Sequence, residues 1–166
     1  MQALSPRTKA PDVALSTVSG KPFVLSDALI RGPLVLAFFK VSCPVCQYAF
    51  PYFERMFQAH KTEPVTFIGV SQDDLKSTEA FIKQYGITFP TLLEDTKRYT
   101  VSNAYGLTNV PTVFLVSRDQ EIEQTIVGWS RAEVEQLNVQ ITMMGPDPET
   151  VPIFKPGEEI AEYKAG

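Results

Sequence analysis

Apolar residues along the chain fall into short solid runs separated by stretches with helical spacing. Residues 33–40 (PLVLAFFK) are apolar on both faces, as a strand in the middle of a buried sheet must be, and residues 65–70 (VTFIGV) repeat the pattern. Between them Cys46, Ala49, Phe50, Phe53 and Phe57 recur at helical spacing as one apolar stripe, with Tyr52 and Met56 widening it. That spacing predicts a helix from Pro44 to about Ala59. Upstream, residues 13–15 and 23–25 flank Ser19-Gly20-Lys21 and predict a small hairpin turned by glycine. Downstream, Phe81, Ile82 and Tyr85 share one side of a predicted helix over residues 75–85, with Gly86 as its stop. Residues 96–105 read as a third such segment, again ending in glycine, Gly106. Strands over 112–116 and 121–127 about the turn Arg118-Asp119-Gln120 predict a second hairpin, and Ser130 with Glu133 predicts a capping box opening a last helix to about Met143. Strands that alternate with helices and close on a hairpin indicate an α/β fold of three layers around a mixed sheet.

A length of 166 residues with 44% hydrophobic positions fits one domain, large enough to hold together without a metal or a disulfide. The expected division is a leader over residues 1–9, the domain over 10–144 and a tail over 145–166, where four of the thirteen prolines fall between Pro146 and Pro156. Gly145 and those prolines cannot continue a helix. Val151, Ile153, Phe154 and Tyr163 are expected to dock the tail on the body or on a second subunit, in a monomer or a homodimer. A net charge of -4 is the wrong sign for a phosphate-binding surface and argues against nucleic acid as a partner. No apolar run approaches the roughly 18 residues of a membrane span. The opening residues carry Arg7, Lys9 and two prolines but no apolar core of a secretory signal, so the expected location is the cytoplasm. An extracytoplasmic compartment is the alternative if a signal or anchor was removed.

The only two cysteines stand as Cys43-Pro44-Val45-Cys46 between the central strand and the first long helix. A sulfur at a helix N-terminus meets unpaired N–H groups and the positive end of the helix dipole, which favour thiolate. Cys43 is therefore the expected nucleophile, and Cys46, one turn further in on the apolar stripe, the resolving thiol. A purely structural staple is the weaker reading: closing a four-residue ring contributes only about 2 kcal/mol by loop entropy, against nearly 5 for a 100-residue loop. A mononuclear zinc site would lack soft ligands, since His60 is the only histidine and lies at the far end of the same helix. Neither metal nor cofactor is expected. Lys40, three residues before Cys43, is a candidate for favouring thiolate or aiding proton transfer, with a solvated strand-end lysine as the alternative.

Further motifs surround the pair. Pro51 completes C-x-x-C-x-x-x-x-P, and Val110-Pro111-Thr112 precedes a strand. Ala10-Pro11-Asp12, the Gly20-Lys21 hairpin, Ile68-Gly69-Val70-Ser71 and Gly86-Ile87-Thr88-Phe89-Pro90 add to the set. Together they resemble the TlpA/ResA-like thiol-disulfide oxidoreductases, the branch of the AhpC/TSA-related redoxin group with a thioredoxin-like fold, over roughly residues 10–141. The resemblance implies a dithiol that exchanges with protein thiols and disulfides, an upstream electron donor and no bound cofactor. It also implies a cis-proline loop at Pro111 facing the cysteines, with Pro44, Val45, Val110 and Pro111 touching substrate and Val110 offering its backbone to an extended segment. An acid in the insert after the second strand, Asp74 or Asp73 beside it, aligns loosely with one that family members use for proton transfer; a helix N-cap is the competing reading.

Departures from the pattern matter equally. Where thioredoxin carries a buried acid and a tryptophan, this chain has Ala37 and Ser42. The peroxidase relatives use a threonine three residues before the reactive cysteine and a distant arginine; here stand Lys40 and, after Val127-Gly128, Trp129, with Arg131 keeping that alternative open. A non-catalytic binding module is the third reading, although copper-delivery relatives have three residues between the cysteines and a downstream histidine. His60 is expected to serve the helix C-terminus or sit in water, Trp129 to pack, and Tyr48 to rim the site.

Overall fold

In the computed structural model, which describes residues 2–147 and 149–166, the all-apolar run becomes strand β3 (Leu34–Phe39), buried at every position. It is central in the sheet, with β4 (Thr66–Ser71) paired parallel on one edge and β6 (Thr112–Val116) antiparallel on the other, and it needs two apolar faces because a core covers each side of the sheet. Alternate side chains of β3 then feed two cores. Val35, Ala37 and Phe39 pack with helices α2 (Pro44–Ala59), α3 (Leu75–Tyr85) and α5 (Arg131–Met144), while Leu34, Leu36 and Phe38 pack with the short α1 (Leu25–Ala28) and Tyr105.

Strands β1 (Ala14–Thr17) and β2 (Pro22–Val24) form the first hairpin, and Leu25 opens α1 rather than ending a strand. A three-residue strand, β5 (Thr91–Leu93), pairs parallel with β4 and antiparallel with β1, and so joins the hairpin to the sheet. With β7 (Ile122–Val127) at the far edge, the strand order is β2-β1-β5-β4-β3-β6-β7. The segment over 96–105 is helical only in α4 (Thr100–Ala104). Asp95 Oδ1 captures the N–H groups of Lys97 and Arg98 at 2.8 and 3.2 Å, and Tyr99 takes φ 49°, so the chain turns before it can coil. The leader is tied down: Arg7 N–H donates to Ile122 O, Leu4 N–H to Tyr105 O, and Lys9 bridges Glu121. No helix among the described residues is long and apolar enough to cross a membrane.

Ser130 Oγ accepts the Glu133 N–H at 3.3 Å and starts α5, after which the tail returns over α2 and α5. Its anchors are Ile153 and Ile160, both buried, and Phe154, whose ring lies 5.5 Å from Tyr52 and 6.1 Å from Trp129. Val151 and Tyr163, expected as anchors, are 56% and 67% exposed. Their backbones make the contacts instead: Val151 O accepts from Asn138 Nδ2, and β9 (Tyr163–Lys164) pairs antiparallel with β8 (Trp129–Ser130). His60 is not in water. It is buried at the end of α2, its ring nitrogens 2.6 Å from Glu63 Oε2 and 2.7 Å from Asn138 Oδ1, because α5 brings Asn138 over it.

Arg55 clamps the tail with a bidentate pair to Glu158 at 2.8 and 3.0 Å and a bond to Ile153 O at 2.8 Å. The guanidinium, with the Lys155 N–H, lowers the Glu158 carboxyl from 4.5 to about 2. A depressed carboxylate stabilises the fold above its unfolded pKa, and that contribution drains away as pH falls from about 4.5 toward 2. Glu158→Gln is therefore expected to narrow the stability gap between pH 7 and pH 3, read from urea midpoints at the two pH values. An unchanged gap would detach the tail clamp from acid stability.

Candidate active site

Cys43 is the N-cap of α2. Its Sγ accepts the Cys46 N–H at 3.2 Å, so the sulfur occupies the place where a capping oxygen ordinarily sits. Pro44 at the first helical position has no N–H to leave unpaired. The Cys43 thiol donates to Val110 O at 3.3 Å, which fixes the sulfur against the loop between α4 and β6. Cys46 faces the opposite way and is fully buried in the core that Ala49, Phe50 and Phe53 line. Burial above all, then its contact with Cys43 and the nearby charge of Asp73, pushes the Cys46 thiol up. One sulfur is half-exposed at a helix mouth and the other is sealed behind it as a thiol.

The Val110–Pro111 peptide is cis, and Thr112 Oγ1 donates to Asn109 O at 2.8 Å within the same loop. Pro44 is exposed and Val45 and Val110 are half-buried, so all three are accessible beside Cys43. Pro111, expected to touch substrate, is buried, and Val110 is the half-exposed residue beside it. The loop leading to Cys43 is held from two sides, Gln47 Nε2 donating to Val41 O and Asp73 Oδ2 accepting the Val41 N–H, each at 2.8 Å. Gln47 gave no sequence signal beyond lying one helical turn after Cys43.

The three proton-transfer candidates, Asp74, Asp73 and Lys40, have different surroundings. Asp74 Oδ1 accepts the Ser77 N–H at 2.8 Å and caps α3, and that bond lowers its carboxyl below the usual carboxylate range. Asp73 is the acid whose charge is felt at Cys46. Lys40 lies with Nζ 5.9 Å from the Tyr99 ring centroid, on the wall of a cavity of about 280 Å³ that Gln72, Asn103, Thr108 and Val110 also line. Trp129 is fully buried, and Arg131 is engaged by Glu135 at 3.0 Å and Glu162 at 3.5 Å and stacked on Phe154. No free guanidinium therefore comes from that position to hold a peroxide.

The asymmetry of the sulfurs sets an alkylation order. Iodoacetamide on the reduced protein at neutral pH is expected to modify Cys43 at least about tenfold faster than Cys46, followed by peptide mass mapping. Equal rates would overturn the division of labour.

The sequence profile of the AhpC/TSA family, by that description, matches residues 6–125. The thiol-disulfide oxidoreductase ResA of Geobacillus kaustophilus (strain HTA426) is 31% identical over 127 residues, 76% of this chain and 71% of that protein. A thioredoxin-family thiol:disulfide interchange protein from Chlorobium tepidum TLS superposes with a TM-score of 0.69 at 25% identity, over 86% of this chain and 99% of that one. DsbF of MTB, solved in mixed oxidized and reduced forms, does so with a TM-score of 0.67 at 26% identity, over 80% and 94%. With a dithiol at the mouth of α2 and these likenesses in sequence and fold, the chain belongs to the AhpC/TSA family, on its TlpA/ResA-like thiol-disulfide oxidoreductase branch.

Proposed function

We propose that the protein exchanges its Cys43–Cys46 dithiol with disulfides of partner polypeptides. The Cys43 thiolate attacks one sulfur of the partner disulfide; the S–S bond breaks, and the second partner sulfur leaves with the electron pair and takes a proton. Cys46 then gives up its proton and attacks Cys43 Sγ, which releases the first partner sulfur as a second thiol. Two electrons have moved to the partner, and the protein holds a Cys43–Cys46 disulfide that an upstream dithiol donor resets. Burial keeps Cys46 from the partner disulfide and pushes its thiol up, so it acts only once the mixed disulfide on Cys43 has formed.

The observation that carries this reading is the placement of Cys43 Sγ, half-exposed and 3.3 Å from Val110 O. A partner's extended segment laid along Val110 would bring its own cysteine to that sulfur, with backbone pairing supplying affinity. Reduction of insulin disulfides in the presence of dithiothreitol is the test: catalytic turnover is expected, together with two titratable thiols in the reduced protein and none in the oxidised. Faster consumption of hydrogen peroxide than of disulfide would replace this function with the peroxidase one, and absence of both activities would favour a binding module.

A further inference from the structure

The profile match ends at residue 125, and residues 161–166 lie beyond it, yet they run directly into the loop that faces Cys43. They are anchored upstream. Ile160 is buried, Trp129 Nε1 donates to Ala161 O at 2.6 Å, and Ala161 N–H donates to Tyr48 Oη at 2.9 Å on α2. Arg131 N–H then donates to Glu162 O at 3.0 Å, and β9 pairs Tyr163 with Ser130 and Lys164 with Trp129. Lys164 Nζ rests 4.9 Å from the Tyr48 ring centroid.

Two glycines let the end of the segment close on the site. A Cβ at Gly128, where φ is 74°, would lie 2.6 Å from Lys164 O and 2.9 Å from Gly166 N. A Cβ at Gly166 would lie 2.6 Å from Val110 O, and Asn109 Nδ2 donates to Gly166 O at 3.1 Å. Gly166 and the Cys43 thiol thus converge on one carbonyl, the Val110 oxygen. That carbonyl is part of the edge with which a partner segment would pair, if the reading of Val110 above is right.

We propose that residues 163–166 are a specificity strap: lying against Val110, they bar extended polypeptide segments from the cis-proline loop and leave Cys43 open to small disulfides. The strap is built to yield. Upstream of Glu162 the tail is held by a buried side chain and hydrogen bonds to Tyr48 and Trp129, whereas residues 163–166 are held by a two-residue ladder, the Asn109 amide and Lys164 resting on the Tyr48 ring, with Tyr163 exposed. A separate ladder of two two-residue strands contributes little on its own. Protein partners engage the fraction of molecules in which it has swung away, so their apparent affinity is reduced by that fraction.

The test compares the full chain with a variant lacking residues 163–166, which keeps Ile160 and Ala161, and with Gly166→Ala, which only pushes the end of the strap off Val110. Each is assayed with insulin as a protein disulfide and with Ellman's reagent as a small one. Deletion is expected to raise kcat/KM for insulin about tenfold with the rate toward Ellman's reagent unchanged within about twofold, and Gly166→Ala to move in the same direction by less. An unchanged or lower insulin rate in both variants overturns the strap, as does an equal rise with both substrates, which would mean a change in Cys43 itself. A full chain that reacts with Ellman's reagent but shows no insulin turnover in any variant removes the functional reading beneath it, a distinct result.

Discussion

Cys43→Ser is expected to lower kcat/KM for insulin reduction by at least about a thousandfold, since the group that forms the first covalent bond is gone and Cys46 cannot replace it. Burial denies Cys46 access to a partner disulfide, and its raised pKa denies it the thiolate form at neutral pH. Cys46→Ser should behave differently although its turnover is lost as well. Cys43 still attacks, but no resolving sulfur stands behind it, so the mixed disulfide persists and adds the partner's mass to the protein under non-reducing conditions. Intact-mass spectrometry after incubation with an oxidised peptide distinguishes the two variants in one experiment. Adducts on Cys43→Ser would reverse the assignment of nucleophile and resolver; no adduct on either would remove the exchange mechanism.

The parts of this site that could be read from sequence are those whose signal is local. Two apolar faces on residues 34–39 could be satisfied only by packing on both sides of the sheet, and the stripe from Cys46 to Phe57 fixed which sulfur faces the core. The helix start at Pro44 followed from the same stripe and a residue without an N–H. What escaped depends on residues far apart in the chain. Strand β5 has three residues and exists because both β4 and β1 have free edges to offer it. Asp73 and Asp74 are equivalent in sequence, and only the start of α3 decides that Asp74 caps the helix while Asp73 reaches Val41. His60, expected to serve the helix C-terminus or sit in water, does end α2, but its burial escaped because its partner Asn138 is 78 residues away. The tail was legible as a docking segment, but Ile160, one of its buried anchors, sits among acidic residues and gave no pattern.

Trp129→Ala is expected to be the most destabilising single substitution at the junction of tail and active site, lowering the free energy of unfolding by about 3–5 kcal/mol. The side chain is fully buried, with ring centroids of Tyr48 at 5.1 Å, Tyr52 at 5.2 Å, Phe154 at 6.1 Å and Phe53 at 6.4 Å. Removing it opens a cavity bounded by α2 on one side and the tail on the other, and it also deprives Ala161 O of its donor. Trp129→Phe separates the two effects, since it fills most of the space without the N–H; a loss of about 1–3 kcal/mol is expected, the range for a polar group left without its partner. Because Trp129 is the only tryptophan of the sequence, urea unfolding is followed by circular dichroism in all three proteins, with an unchanged slope required for the comparison to hold. Because the indole joins Tyr48 to Ala161, the alanine variant should also free residues 163–166 and speed reaction with protein disulfides relative to small ones. A Trp129→Ala protein within about 1 kcal/mol of the parent would show that the tail does not share the core of the domain.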